Sequence, residues 1–431
     1  MSEIDEIPKG WIVEKLVNVC DEISAGGDVP KNNFSLNKTV DFQIPIFANG
    51  EKNKGLYGFT DIPKIAIPSV TISARGSIGF SEFRNAPFFP IVRLIVLCPT
   101  KNLDALFLKY AVDNCKIIHT GTTIPQLTVP TVKDLQIPIP PLSEQHRIVA
   151  KIEELFSSLD KGIESLKTAQ AQLKVYRQAV LKWAFEGKLT NNKDVKFFTL
   201  GEFCNGVEYG SAIKSKEIGK IPVLRMGNIQ GGRFDWHDLV YTNDDHEIEK
   251  YLLKINDVLF NRTNSPEWVG KTALYKGERP AIFAGYLIRI NYKKDKINPN
   301  YLNYYMNSQE AKNYGSKVKS FGVNQSNING TKLKTYPFPY TTLVEQEKII
   351  QEIESRLSVC DKIEESITTS LLQAEALRQS ILKKAFEGKL VPQDPNDEPA
   401  EKLLKRIKAD RMQNQPVKKV KDKKVKSKNL N

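Results

Sequence analysis

Two long stretches of the chain place apolar residues three and four positions apart, which predicts amphipathic helices with the seven-residue repeat of a coiled coil. The rows of the first stretch consist of Ile148, Leu155, Gly162, Ala169, Tyr176 and Trp183, and of Ile152, Leu159, Leu166, Leu173 and Val180. The rows of the second stretch consist of Ile349, Ile353, Cys360, Ile363, Ile367, Ala374, Leu377 and Ile381. We therefore predict a long helix in each stretch, with the more regular apolar seam in the first.

The two stretches are copies of one segment. Residues 144–189 align without a gap with residues 345–390, 22 of the 46 positions are identical, and both copies end in AFEGKL. Since a helix of this length cannot bury its apolar stripe alone, we expect the two helices to pair as an antiparallel coiled coil with pseudo-two-fold symmetry. The alternative is that each helix packs only on the globular domain beside it.

Both predicted helices carry signals for their ends. Thr342 and Glu345 have the spacing of a capping box, and Pro141 suits the first turn of the first helix. Gly187 and Gly388 follow the apolar rows, where a residue in the left-handed conformation closes a helix.

The stretches before each helix contain short apolar runs broken by Gly, Pro, Asn and Asp, which predicts short strands joined by turns. LVNVC at 16–20 parallels LGEFC at 200–204, so we interpret the two stretches as diverged copies of one module. We predict an α+β fold in which two α/β domains alternate with two long helices. The predicted boundaries are domain 1 at 1–141, helix 1 at 142–190, domain 2 at 191–342, helix 2 at 343–391, and a C-terminal helical segment with a basic tail at 392–431.

The net charge of +13 is unevenly divided along the sequence. Counting Lys and Arg against Asp and Glu gives 0 for residues 1–141, +7 for residues 191–342 and +9 for residues 401–431. The Lys-rich tail is either a solvated end or a contact for a polyanion such as nucleic acid. The neutral charge of the first domain does not by itself indicate DNA binding.

The cysteines and the first residues of the chain favour a cytoplasmic location. The five cysteines are scattered and form no CxxC pair, as expected for reduced thiols and no zinc site. The first residues, MSEIDEIPKG, lack an apolar run, so we expect no signal peptide. No apolar stretch is long enough to span a bilayer.

Several motifs occur in a specific order along the chain: IPKGW at 7–11, TISARGSIG at 71–79, PLSEQHRIV before the first helix, NDVLFNRTNSPEWVGK at 256–271, GVNQSNINGTKLKTYPFP at 322–339, TLVEQEKII before the second helix, and VPQDPNDEPAEKLLKRIKADR after it. With the duplicated AFEGKL, this order resembles the specificity subunit of type I restriction-modification systems over essentially the whole chain.

The resemblance implies two target recognition domains, each reading one half of a bipartite double-stranded DNA sequence, with paired helices that set the spacer between the half-sites. It also implies that two modification (methyltransferase) subunits, which carry S-adenosylmethionine for DNA methylation, dock on this chain. Restriction (helicase-nuclease) subunits would add ATP- and Mg-dependent translocation and cleavage. Two other functions stay open: a stand-alone bivalent DNA-binding protein, and a coiled-coil protein scaffold that binds no nucleic acid.

Base reading requires side chains whose donors and acceptors match base edges: Arg for guanine, Asn or Gln for adenine, and Ser or Thr for either. In the first domain the candidates are Thr71, Ser73, Arg75, Ser77, Thr122, Thr123 and Gln126. In the second domain they are Arg225, Asn228, Arg233, Arg262, Thr263, Asn264, Lys271, Asn324, Gln325 and Asn327. The alternative for each residue is a structural role, because Asn, Ser and Thr beside Gly often stabilise turns.

No motif in the sequence indicates catalysis. The four His residues have no metal-ligand spacing, and there is no GxxxxGK[ST] loop for nucleotide phosphates. NAPF at 85–88 is only a near match to the motif of adenine methyltransferases. We therefore expect a non-catalytic subunit with no metal and no cofactor of its own.

Overall fold

A computed structural model describes residues 7–31, 33–115, 126–192, 195–322 and 325–413. The chain divides into two compact units. Unit 1 comprises Met1–Glu164 and Leu371–Asn431, and unit 2 comprises Ser165–Ser370. Each unit therefore contains one α/β domain and parts of both long helices.

Within its described residues, the first domain consists of short strands and four short helices or helical turns. Its strands are β1 (Ile12–Lys15), β2 (Cys20–Ala25), β3 (Ile44–Phe47), β4 (Leu56–Thr60), β5 (Ser69–Ile72), β6 (Ser81–Arg84), β7 (Phe89–Pro90), β8 (Ile95–Pro99) and β9 (Gln136–Ile139). Its helices are Leu16–Val19, the 3₁₀ turn Lys52–Gly55, Ala105–Asn114 and Val129–Lys133. The strands form sheets in the orders β2-β8-β5-β6, β4-β3-β7 and β1-β9.

The core of the first domain lies between the four-stranded sheet and the helix Ala105–Asn114. Every residue of β8 is buried, as expected for a continuous apolar run in the middle of a sheet. Asp104 caps the start of this helix, because its carboxylate accepts a hydrogen bond from the Phe107 amide at 2.7 Å. Phe107 and Leu108 are fully buried in this core.

The second domain has more strands. They are β10 (Lys196–Thr199), β11 (Cys204–Tyr209), β12 (Ile221–Leu224), β13 (Ile229–Gln230), β14 (Arg233–Phe234), β15 (Val240–Thr242), β16 (Val258–Asn261), β17 (Thr263–Asn264), β18 (Thr272–Leu274), β19 (Ile282–Phe283), β20 (Leu287–Tyr292), β21 (Ser320–Phe321), β22 (Ser326–Asn327) and β23 (Pro337–Tyr340). Its helices are the 3₁₀ turns Leu200–Phe203 and Met226–Asn228, and Asp245–Tyr251, Pro299–Met306, Gln309–Val318 and Gly330–Lys334.

The two domains share one sheet topology. The orders β11-β20-β16-β18, β15-β12-β19 and β10-β23 repeat those of the first domain strand for strand. Even the register irregularity in the first strand of the four-stranded sheet recurs, between Cys20 and Glu22 and between Cys204 and Gly206. The second domain adds a β13-β14 hairpin and a small sheet in the order β17-β22-β21. This correspondence supports the interpretation that the domains are diverged copies of one module.

The first long helix spans Leu142–Phe185 and the second spans Leu343–Phe386, 44 residues each. At 1.5 Å per residue, each is roughly 66 Å long. Gly187 and Gly388 follow them with φ of 75° and 68°, which confirms the predicted left-handed closures. The Thr342 hydroxyl accepts from the Glu345 amide at 3.3 Å, as a helix cap requires.

The repeated Glu-Gln pair at each helix start connects the helix to its domain. Gln145 is buried, accepts from the Asp104 amide at 2.9 Å and donates to the Pro140 carbonyl at 3.1 Å. Gln346 makes the equivalent bonds, accepting from the Asn298 amide and donating to the Thr341 carbonyl, both at 2.8 Å. The same residue therefore recurs because it satisfies the same backbone groups in both domains.

The repeated Ala-Phe pair at each helix end is also buried. Phe185 packs in unit 2 on Tyr301 and Tyr305, with ring centroids 5.2 and 5.1 Å away. Phe386 packs in unit 1 on Phe107, with ring centroids 5.3 Å apart. Each helix thus follows one domain in sequence and ends in the core of the other.

Most of the predicted helix seam is buried or partly buried. The buried members are Ile148, Ile152, Leu173, Val180, Ile349, Ile353, Cys360, Ile367, Ala374 and Ile381, and the partly buried ones are Leu155, Leu159, Leu166 and Ala169. The exposed members are Gly162, Tyr176, Trp183, Ile363 and Leu377.

Ile363 and Leu377, at 44% and 51% exposure, correct the predicted seam of the second helix. The row beside its buried residues instead contains the partly buried Leu357 and Leu371, which lie four residues after Ile353 and Ile367. A step of four residues, as from Ile353 to Leu357, fits a helix of 3.6 residues per turn as well as a step of three, so periodicity alone does not choose between the rows.

A C-terminal helix, Ala400–Gln413, packs on the first domain within unit 1. Its residues Ala400, Leu403 and Ile407 are buried, and the Ala400 amide donates to the Gly10 carbonyl at 3.0 Å. The indole of the next residue in the IPKGW motif, Trp11, donates to the Glu144 carboxylate at 3.0 Å. This motif therefore joins the chain's first strand, the first long helix and the C-terminal segment.

Throughout the described ranges, no helix is both long enough and apolar enough to cross a membrane.

Candidate nucleic-acid interface

In the first domain Thr71 lies on β5, and Ser73, Arg75 and Ser77 follow this strand. The exposed Arg75 donates through Nη2 to the Oε1 of Gln126 at 3.2 Å, so the predicted guanine reader and the predicted adenine reader are adjacent. Gly76 adopts a φ of 70° in the turn between Arg75 and the partly buried Ser77. Arg75 and Gln126 thus place one guanidinium and one side-chain amide next to each other.

Three predicted base readers are interior residues, which corrects the candidate set. The Thr71 hydroxyl accepts from Arg84 Nε at 3.1 Å, and the Ser73 hydroxyl accepts from the Gly50 amide at 3.0 Å. Asn228 is buried and accepts from the Arg225 amide at 2.9 Å. Since these groups are buried and bonded within the protein, we remove Thr71, Ser73 and Asn228 from the surface candidates.

In the second domain Arg262 directly follows β16, the counterpart of β5. Its guanidinium carbon lies 4.9 Å from the centroid of the Tyr209 ring, close enough for a cation–π contact. Its amide donates to the Tyr286 carbonyl at 3.0 Å, and its Nε is buried with no hydrogen-bond partner among the described residues. The tyrosine ring therefore restricts the position of a guanidinium whose hydrogen-bonding capacity is not all used.

Five predicted base readers lie together at the small β17-β22-β21 sheet: Arg262, Thr263, Asn264, Gln325 and Asn327. Thr263 pairs in register with Asn327, and Asn264 with Ser326. The side-chain amide of Asn327 donates to the Thr263 hydroxyl at 2.7 Å. The sheet thus holds donors and acceptors of the types that read base edges.

A second group surrounds the β13-β14 hairpin. Lys271 Nζ donates to Gln230 Oε1 at 3.0 Å and lies 4.1 Å from the Trp268 ring centroid. Partial burial, followed by the neighbouring Lys312, lowers the pKa of Lys271. The exposed Arg233 pairs across the hairpin with Gln230. This group has the charge expected of a phosphate contact.

Arg225 belongs to neither group. Arg225 Nη2 lies 3.5 Å from Asp238 Oδ2 and donates to the Asp238 carbonyl at 2.9 Å. Thr122, Thr123 and Asn324 lie outside the described residues.

Sequence reasoning missed the aromatic residues at this surface. Tyr209, Trp268 and Phe321 are exposed and lie beside Arg262, Lys271 and Lys319. An aromatic residue within a polar stretch such as NSPEWVGK was the available signal. Within the described ranges there is no cluster of three or more His, Cys, Asp or Glu residues that could hold a metal ion.

The chain matches the family model described as "Type I restriction modification DNA specificity domain" twice, over residues 8–174 and 192–373. The EcoKI specificity subunit of Escherichia coli (strain K12) is 27% identical over 453 residues, covering 94% of this chain and 96% of the relative. The StySPI specificity subunit of Salmonella potsdam is 27% identical over 451 residues, with the same coverage of 94% and 96%.

Solved structures of this class share the fold. A chain from a structure on complex assembly and conformational transition of the type I R-M system has a TM-score of 0.71 at 19% identity, covering 89% of this chain and 99% of that one. The HsdS subunit of Thermoanaerobacter tengcongensis has a TM-score of 0.55 at 18% identity, with coverage of 89% and 98%.

Proposed function

Since the chain belongs to the type I restriction-modification DNA specificity family, we propose that it is the DNA-recognition subunit of such a complex and performs no catalysis itself. In this proposal each domain reads one half of a bipartite target, and the long helices set the spacer between the halves. The observation that carries the proposal is a single sheet topology that occurs twice with different polar side chains at its edge.

The position of the candidate readers supports one half-site for each domain. Arg75 lies three residues beyond β5 and Arg262 lies one residue beyond β16, so both follow the same end of corresponding strands. Their neighbours differ, with Gln126 beside Arg75 and Tyr209 beside Arg262. A common scaffold with different edge residues is the arrangement that reading two unlike sequences requires.

Two ion pairs support the proposed antiparallel pairing of the helices. Arg378 pairs with Asp160 in unit 1, and in unit 2 Arg177 Nη2 lies 2.7 Å from Asp361 Oδ1. The two arginines occupy equivalent positions of the duplicated segment, and so do the two aspartates. Exchanging the copies converts one pair into the other, the relation that a two-fold axis produces.

We propose that the two modification subunits dock on the long helices. Val359 and Ile363 are exposed apolar residues four positions apart, on one side of the second helix, and such residues favour a protein partner. In this proposal S-adenosylmethionine belongs to the modification subunits, and ATP and Mg belong to the restriction subunits. We also propose a cytoplasmic location, which five cysteines without a disulfide among the described residues favour.

Mapping adenine methylation genome-wide, in the host with and without this gene, tests the proposal. We expect a bipartite motif that is methylated only when the gene is present. An unchanged methylation pattern in a host with active modification subunits would contradict the proposal.

Duplex binding with and without the modification subunits separates the other two functions. Full sequence-specific binding by the isolated chain would indicate a stand-alone DNA-binding protein. Absence of binding in both states would indicate a protein scaffold. We expect binding to depend on the partners, because the sequence of the first domain supplies no net positive charge for phosphates.

A further inference from the structure

Phe321 is a large apolar side chain in an unexpected place. It lies on β21, at the edge of the small sheet that carries Thr263, Asn264 and Asn327, and it is 74% exposed. Its backbone pairs in register with Ser326, so the strand fixes its position. An exposed phenyl group beside candidate base readers is available for a contact with a partner, and its burial there would be favourable.

The surroundings of Phe321 are basic. Lys319 Nζ lies 5.5 Å from the phenyl centroid and donates to the Pro266 carbonyl at 3.0 Å. On the adjacent residue, the Ser320 hydroxyl accepts from Lys332 Nζ at 2.6 Å. An apolar group near two ammonium groups fits a surface that approaches nucleic acid, where the ammonium groups meet phosphates and the ring meets a base.

The chemistry of the ring selects one feature of the base edges. β21 and β22 form an antiparallel pair at the edge of the three-stranded small sheet. A two-stranded ribbon of this kind fits the major groove, where thymine alone among the four bases presents a methyl group. A phenyl ring has no donor or acceptor, so the methyl group is its natural counterpart there. We propose that Phe321 is a specificity-determining residue of the second domain that contacts a thymine methyl in the major groove of the second half-site.

This inference rests on the proposed function, and a double-mutant cycle between protein and DNA tests it. The probe is a duplex with the target found by methylation mapping, in which each thymine of the second half-site is replaced singly by uracil. Uracil lacks only the methyl group. The full chain, assembled with its modification subunits, should bind about fourfold more weakly at one position, the ratio expected for one buried methyl-sized group.

The Phe321→Ala variant should bind thymine and uracil equally well at that position, and Phe321→Leu should retain part of the preference. Phe197→Ala is the matched control. Phe197 is also an exposed phenylalanine of unit 2, at 61%, but it lies on β10, away from the small sheet. This control should keep the full preference for thymine.

The assignment would be overturned by the absence of any uracil position that weakens the wild-type complex, by an unchanged preference in Phe321→Ala, or by a second half-site without thymine in either strand. Insertion of the ring between base pairs would also overturn it, and would raise the fluorescence of a neighbouring 2-aminopurine. The proposed function fails separately, if methylation mapping yields no target that depends on this gene.

Discussion

The first and second domains have the same sheets but different edges. In the first domain the arginine after β5 contacts a glutamine, and the sequence of the domain has no net charge. In the second domain the arginine after β16 lies on a tyrosine ring, three additional strands form a small sheet, and the net charge is +7. The sheets and the helix contacts are therefore the constant part of the module. The segments that follow β5 and β16 form the surfaces that differ between the two domains.

The constant part is tested most strongly at the helix ends. Phe185→Ala and Phe386→Ala should each lower the free energy of unfolding by about 3–5 kcal/mol, because each removes a buried ring from a core. The loss should be larger for Phe185, which has edge-to-face contacts with both Tyr301 and Tyr305. Urea denaturation measures the loss, and hydrogen exchange should show it in unit 2 for Phe185 and in unit 1 for Phe386.

Leu372→Ala is the control for these variants, because this helix residue is 71% exposed and its truncation should change stability by less than about 0.5 kcal/mol. A loss below about 1 kcal/mol for both phenylalanine variants would show that the duplicated Ala-Phe pair is not a structural anchor.

The surfaces that differ between the two domains are tested at Arg75 and Arg262. Arg262→Ala should weaken binding by about 1–3 kcal/mol at one base position of the second half-site, and Arg75→Ala should do so in the first half-site. Arg262→Lys keeps the charge but loses the planar fork, so it should relax the base preference while retaining phosphate affinity. Competition binding against single-base variants of the target gives these values. Uniform weakening on all sequences would instead identify the arginine as a phosphate contact.

The smallest effects on stability are expected for the two equivalent ion pairs of the long helices. Arg177→Met and Arg378→Met should each cost less than about 1 kcal/mol, because Asp160 and Asp361 are largely exposed. Arg177 also pairs with Glu364 at 2.9 Å, so its loss should be slightly the larger. Unfolding at low and at 1 M salt measures the effect, which salt should reduce. A cost of several kcal/mol at either site would show that the two pairs are not equivalent.

The long helices could be predicted from the sequence because their signals are local. The seven-residue rows, the capping threonine and the closing glycines each act within a few residues of the backbone groups that they satisfy. The predicted row with Ile363 and Leu377 was wrong because a helix of 3.6 residues per turn allows either of two neighbouring rows, and periodicity alone does not choose between them.

The base readers could be predicted only in part, because burial is decided by distant residues. Thr71 is covered by strands on both sides and bonds to Arg84, and Asn228 turns inward to the carbonyls of Asp235 and His237. Phe321 was missed for the opposite reason: a hydrophobic residue is expected in the core, and only the structure shows it at the surface.

The direct test of the two-domain reading is to shorten both helices. Removing residues 165–171 and the equivalent residues 366–372 deletes one heptad from the middle of each helix and shortens it by about 10 Å, the length of roughly three base pairs. Sequencing of methylated sites should then show both half-sites unchanged with a shorter spacer, or no methylation where the shorter spacing cannot be read. Altered half-sites with an unchanged spacer would contradict the proposal that the domains read and the helices measure.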